Sequence, residues 1–221
     1  MTCPDFRFVK DVARYNAEDD GVTYGITLFA DRTVTAVLEG HTAIVGGRYV
    51  ALSEQETADC TSGSTVARGG YHNRALEAVR RTGHLTSSVH LPFTYRDGYR
   101  CNTRNPNALP FRITSVRRVN GDNGLASALN AGPVAVGMGF DRRLSAYRGG
   151  IYVDRGCMSV QNHAVTAVGY TNSYWIVRNS YGTGWGERGH VRFTRQYPNM
   201  CHISSYSYYI TVQRSGQEKE E

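Results

Sequence analysis

Arg178-Asn179-Ser180-Tyr181-Gly182-Thr183-Gly184-Trp185-Gly186-Glu187 is the stretch on which the fold turns. It begins where a short β-branched and aromatic run, Tyr174 to Arg178 (YWIVR), ends. Such a run, bounded by Asn and Gly, reads as a strand. A second run lies just upstream, Ala164 to Tyr170 (AVTAVGY), and Asn162-His163 opens it. A His and an Asn brought together across paired strands form a base and its orienter. The Asn amide oxygen accepts from one ring nitrogen and fixes the tautomer, and the other nitrogen faces a nucleophile. A lone histidine is more often a structural side chain; the joint pattern is what points to chemistry.

Working outward, the second half of the chain is strand-rich. Pro133 to Met138, His190 to Thr194 and Ser205 to Val212 are further short runs of strand formers, with helical pieces near 124–130 and 142–147. The first half reads as helical. Thr33 to Glu39 (TVTAVLE) is a candidate buried helix segment, although two Thr and two Val lower its propensity. Ser53-Glu54-Gln55-Glu56 predicts a capping box, the Ser53 hydroxyl accepting from the Glu56 amide and the Glu56 carboxylate reaching back. A third helix is expected over 71–81, with Ala75, Leu76 and Val79 on one face and Gly83 as the stop. A helical half followed by a strand-rich half is an α+β arrangement.

Composition bounds the function classes. The chain has 221 residues, 40% of them hydrophobic and 11% aromatic, which is enough for a substantial core and argues against disorder. No run approaches the roughly 18 consecutive apolar residues of a membrane span, so no membrane partner is expected. The start, Met1-Thr2-Cys3-Pro4-Asp5, lacks a basic stretch followed by an apolar one. The chain is therefore expected to be cytosolic, or a mature domain whose leader has been removed. All but Lys10 and Lys219 of the 25 basic residues are arginines, and the formal charge is +6. They are scattered singly or in pairs with no aromatic-interleaved run, so nucleic acid is not expected as a partner. Metal sites are not expected either: the seven histidines are dispersed, and His84 with His90 lacks the i, i+4 spacing of a helical site.

The whole pattern resembles the papain-like cysteine proteases, from about Asp5 to Val212. The strongest matches are Tyr147-Arg148-Gly149-Gly150-Ile151 ahead of Cys157, and the Asn179 to Gly189 stretch. The resemblance implies a two-lobe fold, a helical lobe over about 12–110 and a β-barrel-like lobe over about 111–212 with a cleft between, then a polar tail from 213. His163 and Asn179 fall on the family's catalytic His and Asn. Cys60 with Cys101, and Cys157 with Cys201, fall on two of its disulfides. Gly69-Gly70 matches the glycine pair whose backbone meets an extended peptide. Tyr71, Gly137 and Ala164 fall where the family lines its specificity pocket, while Tyr181 and Trp185 belong to the aromatic cover of the cleft. Two disulfides, over spans of 41 and 44 residues, imply an oxidising compartment, secreted or lysosomal and vacuolar, and each would contribute roughly 3–4 kcal/mol.

The family's nucleophile is a cysteine at the start of a long helix. Here the corresponding segment is Asp19 to Ala30, and three registers place Ile26, Thr27 or Phe29 at that position. No cysteine occurs between Cys3 and Cys60, so every register lacks the thiol. The Gln that donates to an oxyanion is missing from this segment too. Both ends of the family's third disulfide are absent, Ala67 standing at one of them, and the Trp that shields the His–Asn bond is Tyr181. The expected function is that of an inactive papain-like protein, a monomer without cofactors that binds a protein or peptide as a decoy or host-interaction factor. Inactive members are known in the family, among them paralogues of group 1 mite allergens. Two alternatives stand beside it: a weak hydrolase using Thr27 with His163, and a glycan- or anion-binding module using the arginines. Cys3 is expected to be a free or intermolecular thiol.

Overall fold

The computed structural model describes residues 29–63, 70–94, 96, 100–101, 106–157 and 161–214. The expectations on Cys3, Ile26, Thr27, Ala67, Gly69 and the tail beyond 214 lie outside the described residues. The described residues divide into two compact units, one of Arg118–Tyr209, the other running up to Arg117 and resuming at Ile210. The lobe boundary was expected near residue 110; the passage between the units comes at Arg117–Arg118, and the chain returns at Ile210.

The helical unit opens with α1 (Phe29–Gly46). It is buried almost throughout from Thr33 to Ala43, which explains why an apolar stretch with so poor a propensity is helical: packing decides. Helix α2 (Glu54–Cys60) is capped by Ser53, whose hydroxyl accepts from the Glu56 amide at 3.0 Å. The reciprocal half of the expected capping box is replaced. The Ser53 amide donates to the Thr86 carbonyl at 2.9 Å, and the buried Glu56 carboxylate accepts from the Thr86 amide (2.9 Å) and hydroxyl (2.6 Å). Crossing to Thr86 satisfies two buried donors on another segment, a better use than the local cap. Helix α3 (His72–Thr82) ends where Gly83 takes φ 74°, the left-handed turn that favours glycine. A short antiparallel pair follows, β1 (Leu85–Thr86) with β2 (Ala108–Leu109). The Cys60–Cys101 disulfide is formed in this unit.

The remaining elements are β3 (Phe111–Val119), α4 (Gly121–Leu129), β4 (Val134–Met138), α5 (Arg142–Ser145), β5 (Ile151–Tyr152), β6 (His163–Tyr170), β7 (Tyr174–Arg178), β8 (His190–Thr194) and β9 (Tyr206–Arg214). The seven strands from β3 onward form one sheet in the order β3-β9-β4-β6-β7-β8-β5. Strand β3 was not expected from the sequence. Only Phe111 and Ile113 of its FRITSVRRV turn inward, while Arg112, Arg117 and Arg118 are exposed, as suits a charged edge strand. The core of the sheet unit packs Trp175, Phe193, Val136, Val177 and Leu125, all fully buried. Within this unit Cys157 and Cys201 are bonded.

Candidate active site

Strand pairing brings the site together. In β4 and β6 the register sets Met138 opposite His163 and Gly137 opposite Ala164. Both residues of that second pair are small and buried. In β6 and β7 the ladder ends at Thr166 opposite Arg178, and Asn179 follows one residue later. Its amide donates to the Gly189 carbonyl at 2.8 Å, which holds the chain as it leaves the strand.

His163 Nε2 lies 2.8 Å from Asn179 Oδ1, and the Ser180 amide also donates to that oxygen at 2.8 Å. Turning the side-chain amide over would set its NH2 against the Ser180 N–H, so the oxygen must face both donors. The proton of the neutral ring is thereby placed on Nε2, and Nδ1 carries the lone pair. The ring is 5% exposed. Burial pushes its pKa down to about 4, although the Asn179 bond favours the charged form. At neutral pH the pair is a neutral imidazole held as a proton acceptor through Nδ1.

Aromatic rings enclose it. Phe140, itself buried, stands 4.6 Å from the His163 ring centroid, and Tyr181 stands 5.5 Å away. Phe140 meets Tyr181 edge-on at 5.4 Å, and Tyr181 meets Trp185 edge-on at 5.9 Å. Sequence reasoning missed Phe140. Its position is set by Asn162, whose Oδ1 accepts from the Phe140 amide at 2.8 Å and whose Nδ2 donates to the Phe140 carbonyl at 2.9 Å. A side-chain amide beside the histidine was the available signal, since it can bond both the N–H and the carbonyl of one residue.

The glycine-rich stretch braces this shell. Trp185 is 7% exposed and donates from Nε1 to the Ser145 carbonyl at 3.0 Å, so it packs as a buried anchor. Gly186 has φ 55°, and a Cβ there would come within 2.6 Å of the His190 carbonyl and 2.9 Å of Tyr147. Glu187 accepts from the Gly150 amide at 2.9 Å and from Arg192 Nε at 2.8 Å. These donors hold its carboxyl below the usual range, the Arg192 hydrogen bond first among them. The two motifs, Tyr147–Ile151 and Asn179–Gly189, are thus one structural device read twice in the sequence.

Of the expected site residues, the sheet unit gathers His163, Asn179, Gly137, Ala164, Tyr181 and Trp185. Gly70 and Tyr71 belong to the helical unit, both exposed. Phe29 is the first residue of α1; Ile26, Thr27 and Gly69 lie outside the described residues. No group of His, Cys, Asp or Glu suited to a metal occurs among the described residues, and none of their helices is long and apolar enough to cross a membrane.

Comparison with known proteins matches this geometry. A family model described as "Papain family cysteine protease" matches residues 31–211. The senescence-specific cysteine protease SAG12 of Arabidopsis thaliana is 33% identical over 193 residues, covering 81% of this chain and 55% of its own length. Zingipain-2 of Zingiber officinale is 37% identical over 191 residues, covering 82% of this chain and 85% of its own. The chain thus spans little more than half of the first relative. The crystal structure of the Carica candamarcensis cysteine protease CMS1MS2 in complex with E-64 superposes with a TM-score of 0.77 at 30% identity, covering 96% of this chain and 98% of that one. A histidine–asparagine pair held by the antiparallel strands β6 and β7, a helical unit earlier in the chain and these matches have one reading: the chain belongs to the papain family of cysteine proteases.

Proposed function

We propose that this chain is a papain-like pseudoprotease that acts by binding a protein or peptide. The observation that carries the reading is the absence of any cysteine between Cys3 and Cys60. The imidazole supports it. In an active thiol protease a thiolate stabilises a charged histidine; here burial keeps His163 neutral. Phe140 and Tyr181 pack against that ring. The two disulfides fit an oxidising setting, secreted or lysosomal and vacuolar. The retained Gly70 and Tyr71 suit an extended peptide ligand, used as a decoy or host-interaction contact.

The test is incubation of the purified chain with a pooled fluorogenic peptide library between pH 4 and pH 8. No turnover above the buffer rate is expected. Turnover abolished by His163→Ala would overturn the proposal. The intact His163–Asn179 pair favours one second reading, a slow hydrolase with Thr27 as nucleophile. In that case Thr27→Ala and His163→Ala abolish turnover alike.

A further inference from the structure

We infer that the peptide-binding edge at Gly70-Tyr71 selects ligands with an acidic side chain, read by the Arg74 guanidinium held over the Tyr71 ring. The inference rests on the peptide-binding reading above and adds the chemical class of the ligand. Tyr71 is the N-cap residue of α3, with the extended dihedrals φ −96° and ψ 123°, and its side chain makes no capping hydrogen bond. Its ring is 65% exposed, an unusual setting for a large aromatic side chain. Arg74 lies three residues on, so helical geometry brings it to the same face. Its guanidinium carbon sits 5.0 Å from the Tyr71 ring centroid.

That arrangement is suited to a carboxylate. The aromatic face stabilises the cation and orients the planar guanidinium, whose N–H donors form a fork that matches a carboxylate. A pre-oriented fork loses less side-chain freedom when an Asp or Glu docks on it, and a charged fork–fork contact is among the stronger hydrogen-bonded pairs.

The neighbouring acids of the helical unit are already engaged. Glu77, the next acid on α3, pairs with Arg80 at 2.7 Å. Glu39 accepts from the Leu52 amide, Glu54 pairs with Arg32, Glu56 accepts from Thr86 and Asp59 accepts from Gln55. Among the described residues no carboxylate pairs with Arg74, which stands exposed four residues after Gly70. The chain's formal charge of +6 draws an acidic ligand toward it from further away.

The test is fluorescence polarisation with fluorescein-labelled octapeptides, identical except that Glu, Gln or Lys is scanned through each position in turn. Wild type, Arg74→Gln and Arg74→Glu are compared, after circular dichroism has confirmed that each variant is folded. At one position the Glu peptide is expected to bind about tenfold more tightly than its Gln counterpart. Arg74→Gln should erase that difference, and Arg74→Glu should shift the preference to Lys. Affinity that ignores peptide charge, or an acidic preference that survives Arg74→Gln, overturns the inference and leaves peptide binding standing. Failure of every peptide to bind overturns both.

Discussion

The buried polar side chains of the helical unit and the His163–Asn179 pair of the sheet unit serve different ends. In the helical unit, Glu39 accepts from the Leu52 amide and Glu56 from Thr86, while Gln55 accepts from Thr94 and donates to the Arg96 carbonyl. Each side chain ties a helix to a segment distant in sequence and satisfies a backbone group there. In the sheet unit the bond between His163 and Asn179 joins two strands that the β6–β7 ladder already holds. It orients an imidazole and closes no loop. A polar group that holds the fold and one that orients another side chain can thus be told apart by asking which backbone each one rescues.

Mutation should widen that contrast. The largest effect is expected for Glu56→Ala, which strands the amide and hydroxyl of the buried Thr86; a loss of about 3–5 kcal/mol in denaturant unfolding follows. If Glu56→Ala costs no more than Asn179→Ala, the distinction between the units is wrong.

The next effect is one of pH. His163 titrates near 4 in the folded chain, whereas an unfolded histidine titrates near 6.5. Between those values the unfolded state binds the extra proton. The contribution is complete above about pH 6.5 and is lost as the pH falls toward 4, an effect of about 3 kcal/mol in total. A His163→Gln variant should show a correspondingly flatter stability profile over the same window. Equal profiles would mean that the ring is hydrated in solution.

The smallest effect belongs to the orienter. Asn179→Ala should cost about 1 kcal/mol, since one side-chain hydrogen bond is lost and the strands stay paired. Nitrogen chemical shifts of the His163 ring should change even so, because the Nε2 proton no longer has a fixed acceptor. An unaltered ring spectrum would sink the orienting role.

Much of this was open to a reading of residues alone, and the exceptions share a cause. The strands β4, β6, β7, β8 and β9 announce themselves through β-branched and aromatic runs. Strand β3 does not, because three arginines and two hydroxyl side chains dilute the alternation that Phe111 and Ile113 begin. The His163–Asn179 pairing was readable because two motifs bracket one hairpin. Phe140 was not, since its role depends on a clasp from Asn162, 22 residues away. Glu56 was read as a local cap because Ser53-x-x-Glu56 has that form; its real partner, Thr86, sits 30 residues on and becomes visible only once the chain is folded. Local patterns carry local contacts, and burial re-assigns the rest.

The two disulfides have a mechanical corollary. Cys60–Cys101 closes its loop inside the helical unit and Cys157–Cys201 closes its own inside the sheet unit. Pulled from its two ends, the oxidised chain would keep those loops out of the extended length. Their sequence separations of 41 and 44 residues, at roughly 3.5 Å per residue, amount to about 140 Å and 150 Å of hidden contour. A reductant added under force would release each length as a separate step, one for each unit.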